Sequence, residues 1–348
     1  MLPRSLTACT AALCCLLATQ SMAIIVGGTN GDGLGNATES GLQSHLAGRA
    51  LPAFPFWNNL LRVSDSSGIY LGRNANTGRG WVMTAYHVSA LTVGSGTITV
   101  AGQAYIVRET HIIKHPDANA TLPSDIRLYG IGGGIGDPAL PTLAAVPILE
   151  SDVEEGDDLV LTGRGRRQQV PTEDTTEPYA WDTDTGPANQ TSRQMRWGTN
   201  HVEIYTPAAP DVLFAIPEGS PTTTKETVCF ASVFDDPAGS GTSAEGQLAL
   251  LDSGGGAFVR RGVSWYLAGI NSYVDDGPDG DNDASPSGYG DFSIMPHLPT
   301  YRDQIETLTG TLSAASSGPD GDLDGDGISN LMEYALNLNP LVNQQVTM

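Results

Sequence analysis

Cysteine and positive charge are both scarce in this 348-residue chain. Of its four cysteines, Cys9, Cys14 and Cys15 crowd the N-terminus and leave Cys229 alone in the rest of the chain. One thiol makes no intramolecular disulfide, so packing or bound metal must supply the stability that secreted eukaryotic domains often take from disulfides. Lys and Arg number 17 against 39 Asp and Glu, a formal charge of -22. A surface of that sign repels phosphate backbones and anionic membranes, which excludes nucleic acid as the main partner. It suits a secreted protein, or one that binds divalent cations. Long apolar runs are missing too, so the sequence has no transmembrane span. Convincing helical periodicity is confined to Tyr301–Leu308 and to Asn330–Leu338 in the tail.

What is abundant is Gly (42) and Pro (22), which points to a loop-rich, β-dominated chain. Short β-prone runs recur between turn residues: Trp81–Ala85, Gly96–Val100, Tyr105–Val107, Leu159–Thr162, Val202–Tyr205, Val228–Phe234, Gly256–Val259 and Trp265–Ile270. They predict an all-β sandwich or barrel. Residues 1–23 read as an export signal, with Arg4, an apolar run Ala11–Ala18 and a Ser21-Met22-Ala23 cleavage triplet. Export without disulfides reads as a bacterial secreted or periplasmic protein. Residues 24–309 form the main domain, 310–319 a small polar linker, and 320–348 a separate tail. Arg164–Thr191 and Val274–Asp291 read as long surface loops.

Three motifs carry chemistry. In Trp81-Val82-Met83-Thr84-Ala85-Tyr86-His87, an apolar strand ends in a histidine, the side chain suited to general base work near neutral pH. In Ser124-Asp125-Ile126-Arg127-Leu128, an aspartate opens an alternating strand. In Leu251-Asp252-Ser253-Gly254-Gly255-Gly256, a serine sits in a glycine-rich turn whose N–H groups can face a developing oxyanion.

In this order the motifs resemble those of the trypsin-like (chymotrypsin-fold) serine proteases. Thr84-Ala85-Tyr86-His87 is similar to that family's Thr-Ala-Ala-His, Asp125-Ile126-Arg127-Leu128 to its Asp-Ile-Ala-Leu, and Asp252-Ser253-Gly254-Gly255 to the core of its Gly-Asp-Ser-Gly-Gly-Pro. Ile25-Val26-Gly27-Gly28 matches the family's mature N-terminus, and Gly269-Ile270-Asn271-Ser272-Tyr273 its substrate-pairing strand. The resemblance implies an all-β two-barrel fold with a C-terminal helix, and a serine endopeptidase acting on protein or peptide substrates. It makes Ser253 the nucleophile, His87 the base and Asp125 the residue that orients His87. Asp117 is the alternative acid. The N–H groups of Leu251 and Ser253 would form the oxyanion hole.

The chain departs from the family at several positions. Leu251 stands where the family has glycine. Gln247, at the floor of the specificity pocket, offers no charge to Lys or Arg. Val274 replaces a pocket-wall glycine and narrows the site, which favours a small apolar residue before the cut; Ser272 and Tyr273 complete the substrate-binding set. The resemblance also implies that a freed α-amino group pairs with Asp252. Export cleavage after Ala23 would free Ile24, one residue ahead of the matched segment. Rival readings on the same fold are a binding or adhesion protein, with catalysis weakened at Leu251, and an esterase or amidase using the same triad.

The tail places Asp322, Asp324, Asp326, Asn330 and Glu333 at loop positions 1, 3, 5, 9 and 12 around Gly327 at position 6. That is the EF-hand spacing for structural Ca²⁺. With the following Tyr334-Ala335-Leu336 it resembles thrombospondin type 3 or dockerin-like tails, and a docking partner is one use for it. Asp275, Asp276, Asp279, Asp281 and Asp283 lack a closing glutamate and read as a solvated loop. Cys229, Trp197 and Trp265 read as core residues. His111, His115, His201 and His297 show no metal-ligand spacing.

Overall fold

The computed structural model describes residues 24–27, 36–74, 76–116, 122–165, 179–180, 193–204, 212–218, 225–275, 286–310 and 330–335. The export signal, Asp117, the linker after Gly310 and Asp322, Asp324 and Asp326 lie outside them, as do the side chains of Asn330 and Glu333.

The chain is mostly β, and among the described residues every strand ladder is antiparallel. The first half is one six-stranded sheet in the order Leu60–Val63, Ser66–Arg73, Gly80–Ala85, Pro123–Ile131, Gln103–Lys114, Thr97–Val100. Its two edge strands approach each other, so the sheet curls towards closure. Alternation along each strand serves two cores. Val82, Tyr129 and Ile131 face the interior of this half. Trp81, Met83, Ala85, Ile126 and Leu128 face the larger core shared with the second half. Burial on both faces explains why Trp81–Ala85 is an unbroken apolar run rather than an alternating one.

The second half has two four-stranded sheets. One runs Arg196–His201, Asp158–Gly163, Gly256–Arg261, Ser264–Ile270; the other runs Phe214–Glu218, Lys225–Val233, Phe292–Pro296, Tyr273–Asp275. A bridge between Gly269 and His297 links them. This is the all-β two-barrel architecture with a C-terminal helix that the motifs led us to expect.

That helix spans Leu298–Thr309, three residues earlier than its periodicity suggested, because Pro299 fits the first turn, where no N–H is needed. Leu298, Tyr301 and Ile305 bury its apolar stripe. The Tyr301 hydroxyl accepts the Val228 N–H at 2.8 Å, while Gln304 exchanges two hydrogen bonds with the backbone of Lys114 in the other half. The helix therefore straps the two halves together.

Two readings need correction. Over the described residues 202–204 of the expected strand Val202–Tyr205 there is only an isolated bridge at Glu203; the ladder lies just before it, at Arg196–His201. The polar residues of Arg196–His201 hid it, since Arg196, Thr199 and Asn200 are buried with hydrogen-bond partners. The helix Glu39–Gly48 went unread, although Thr38 caps it by accepting the Gly41 N–H and Leu42 and Leu46 lie one turn apart on its buried side. In the tail, a helix spans Asn330–Ala335. Among the described residues, no helix is long and apolar enough to cross a membrane.

Candidate active site

His87 follows the strand Gly80–Ala85, in a turn closed by the Val88 N–H to the Ala85 carbonyl. Buried Arg127 supports the turn from below: its guanidinium donates to the Val88 carbonyl at 2.7 Å and lies 4.7 Å from the Tyr86 ring centroid. Asp125 comes from the neighbouring strand, fully buried. One carboxylate oxygen accepts the His87 backbone N–H at 2.9 Å; the other lies 2.7 Å from Nδ1 of the imidazole and also accepts the Ser272 hydroxyl. The Asp125 N–H donates to Thr227 Oγ1 at 3.0 Å. Carboxylate and ring are thus fixed by both backbone and side chain.

Ser253 Oγ lies 2.7 Å from Nε2 of the same imidazole. Its carbonyl accepts the Ser67 N–H at 3.0 Å, which ties the serine turn to the first half. Gly254 is irreplaceable on two counts. Its φ is +81°, and a Cβ there would sit 2.2 Å from Thr84 Oγ1 and 2.4 Å from the Ser67 carbonyl oxygen. Asn271 then braces the turn, its backbone exchanging bonds with Gly254 and Gly255 at 2.8 Å each.

The Ala249–Asp252 segment is a turn closed by the Asp252 N–H to the Ala249 carbonyl at 3.0 Å. Leu251 is its third residue and has φ +77°, the left-handed region that a type II turn demands and glycine normally fills. The leucine has not pushed the backbone out of that conformation. Neither the Leu251 nor the Ser253 N–H has an acceptor among the described residues, so both are available to an incoming oxygen.

The remaining expected site residues fall into two levels. Tyr273–Asp275 forms the outer edge of its sheet, and the Tyr273 ring stacks 6.0 Å from that of His87. An open edge beside Ser253 can take an extended peptide as a further strand. Val274 packs against the small buried cluster of Ile25, Phe234 and Ala249. Gln247, paired with Ile25, is fully buried and donates to Asp291 at 3.2 Å. The structure therefore brings His87, Asp125, Ser253, Leu251, Ser272 and Tyr273 into one neighbourhood, with Val274 next in the chain, and leaves Gln247 fully buried and engaged by Asp291.

At the N-terminal segment the register differs from the sequence match by one residue. Ile25 pairs with Gln247, while the Ile24 N–H donates to the carboxylate of Asp252. Supporting residues the sequence did not single out are Thr227, Arg127, Asn271 and Ser67. Each acts through a long-range contact that carries no local signal.

Among the described residues, no group of three or more His, Cys, Asp or Glu side chains is arranged to hold a metal. No family model and no curated protein matches the chain. Among solved structures, it is similar to neuropsin, a serine protease expressed in the limbic system of mouse brain. The two are 16% identical, the match spans 74% of this chain and 97% of that one, and the TM-score is 0.41.

Proposed function

We propose that this protein is a secreted serine endopeptidase that cuts peptide bonds through an acyl-enzyme. The observation that carries the reading is the continuous relay from Asp125 to His87 to Ser253, with 2.7 Å at each link on the ring. His87 takes the Ser253 proton as Oγ attacks the scissile carbonyl, and the electron pair of the C=O moves onto its oxygen, facing the Leu251 and Ser253 N–H groups. Collapse of that intermediate expels the amine, which receives the proton from His87. Water then repeats the sequence on the ester and restores Ser253. Buried Asp125 stabilises the imidazolium and holds Nδ1 as the donor.

Val274, packed against Ile25, Phe234 and Ala249, and buried, uncharged Gln247 favour a small apolar side chain before the cut. The tail residues Asp322, Asp324, Asp326, Asn330 and Glu333 offer oxygen donors at the spacing Ca²⁺ requires, for a structural or docking role away from the chemistry.

The test is labelling by a fluorophosphonate probe, followed by peptide-library profiling. Labelling is expected in the chain with a free Ile24 amine and not in Ser253→Ala. A folded chain of that form that fails to label refutes the reading and leaves a binding protein on this fold.

A further inference from the structure

This inference rests on the hydrolase reading and concerns which peptides that site accepts. Positive charge is scarce in the chain, 17 Lys and Arg against 39 Asp and Glu, yet Arg62, Arg164 and Arg193 gather beside the serine turn. Arg62 and Ser67 face each other across the ladder between Leu60–Val63 and Ser66–Arg73. Residues directly opposed in an antiparallel pair turn their side chains to the same face. Ser67 is also the residue whose N–H donates to the Ser253 carbonyl, and its Oγ accepts the Arg164 N–H at 2.8 Å. Arg164 is held by its neighbours on both sides. A Cβ at Gly163 would sit 2.2 Å from Asp252 Oδ1, and the Gly165 N–H donates to the same carboxylate. Arg193 donates to the Asp65 carbonyl at 3.0 Å, and its charge is felt at Asp252.

The three charges act on one another. Burial lowers the half-buried Arg164 guanidinium to about 10, and the like charges of Arg62 and Arg193 add to the fall. A cation so placed gains when an anion comes alongside. Asp65 is the one acid in the hairpin from Leu60 to Arg73, so the three cations outnumber it. Arg62 is exposed, and its Nε donates to the Ser64 carbonyl at 2.6 Å, which holds the side chain over the hairpin tip. Its two Nη groups have no acceptor among the described residues. They form the planar fork that a carboxylate meets with two parallel hydrogen bonds.

A peptide laid along the edge Tyr273–Asp275 reaches Ser253 from the second half of the molecule. Beyond the cut it crosses to the first half, where Ser67 lies against Ser253. Asp65, at the tip, is two residues from Ser67, about 7 Å along an extended chain. The second residue after the cut therefore comes level with the tip.

We infer that this site selects peptides with Asp or Glu as the second residue after the cut, the carboxylate being clamped by Arg62 within the field of Arg164 and Arg193. The rest of this chain, at -22, repels acidic peptides, so the preference belongs to that one position. An acid placed before the cut gains nothing. Arg62 is a binding residue, and Arg164 and Arg193 set the local charge.

The experiment uses internally quenched peptides with alanine before the cut and Asp, Ala or Lys as the second residue after it. A fourth peptide carries its Asp two residues before the cut instead. At pH 7 and low salt, kcat/KM is expected to be about tenfold higher for the Asp peptide than for the Ala peptide, the part of a charge-assisted hydrogen bond that survives exposure. The Lys peptide should fall below both, and the fourth peptide should show no gain. Only Arg62 is substituted, because it is exposed. Arg62→Gln is expected to bring the Asp-to-Ala ratio to about one, and Arg62→Glu to favour Lys over Asp; a merely structural role for Arg62 would lower all the rates together. Equal rates on the Asp and Ala peptides overturn the inference, as does an Asp preference that survives Arg62→Glu. A second readout needs no catalysis: coumarin-tagged forms of the same peptides are bound to Ser253→Ala and followed by fluorescence anisotropy. An Asp peptide that binds about tenfold tighter than the Ala peptide supports the inference even where the parent protein cuts neither, in which case the hydrolase reading alone falls. Equal affinity for the two overturns the inference whatever the activity.

Discussion

Ser272→Ala removes one hydroxyl from the carboxylate behind the imidazole, and its cost can be worked from the site. Asp125 is fully buried and Ser272 only 9% exposed, so water does not readily replace the lost donor. A hydrogen bond to a charged group in such surroundings contributes about 1.5–3 kcal/mol. Asp125 assists the reaction only as the anion that steadies the imidazolium. If most of that contribution is lost from the transition state, kcat/KM falls by about 10- to 100-fold. The Asp125 links to the His87 backbone N–H and to Nδ1 remain, so the fall should stop well short of the roughly 10⁴-fold loss expected for Asp125→Asn, in which the imidazole takes the wrong tautomer. The assay is hydrolysis of a chromogenic peptide ending in alanine, with fluorophosphonate labelling as the count of competent sites and near-UV circular dichroism as the check on folding. A folded Ser272→Ala protein within twofold of the parent in kcat/KM would refute the assignment of Ser272 to the relay.

Gly254→Ala combines a positive φ with a Cβ 2.2 Å from Thr84 Oγ1. Strain and overpacking together should cost about 3 kcal/mol or more, read as a fall in the urea midpoint together with loss of labelling. Burial raises Glu245 to about 8, above its unfolded value of 4.5. The folded chain therefore holds a proton there that the unfolded chain releases, so this contribution to stability is present in full below about pH 4.5 and is lost as pH rises towards 8. Urea unfolding across pH 5–8 should show that slope, and Glu245→Gln should flatten it. Val274→Gly should raise kcat/KM for a leucine or phenylalanine before the cut, relative to alanine, by about tenfold or more; an unchanged profile would mean that Val274 does not limit the pocket. Titration calorimetry should detect Ca²⁺ binding that Asp322→Ala and Glu333→Gln abolish while labelling of Ser253 is unaffected, and no heat in the parent protein would remove the tail assignment.

Much of the fold was legible because it is written in local pattern. Trp81–Ala85, Gly256–Val259 and Trp265–Ile270 are β-prone runs bounded by turns, and each is a strand within a residue or two of where it was read. The strand Arg196–His201 was not legible, because its buried residues are polar and satisfied by partners far along the chain. The candidate site divides the same way. His87, Asp125 and Ser253 each announce themselves by a short motif. Thr227 and Arg127, in ordinary strands, and Asn271, just past the end of one, hold those motifs still through partners far along the chain.

By itself, the sequence determined the residue types available to the chemistry, the order in which they occur and the acidic, disulfide-poor character of the chain, since all of these are properties of composition and short-range spacing. Only the tertiary structure decided which groups meet. It put Ile24 rather than Ile25 at Asp252, buried Gln247 against Asp291, and kept Leu251 in a conformation that a leucine does not choose alone. Each of these depends on contacts between segments far apart in the chain, and the energy of such a contact appears only once burial has removed water from both partners.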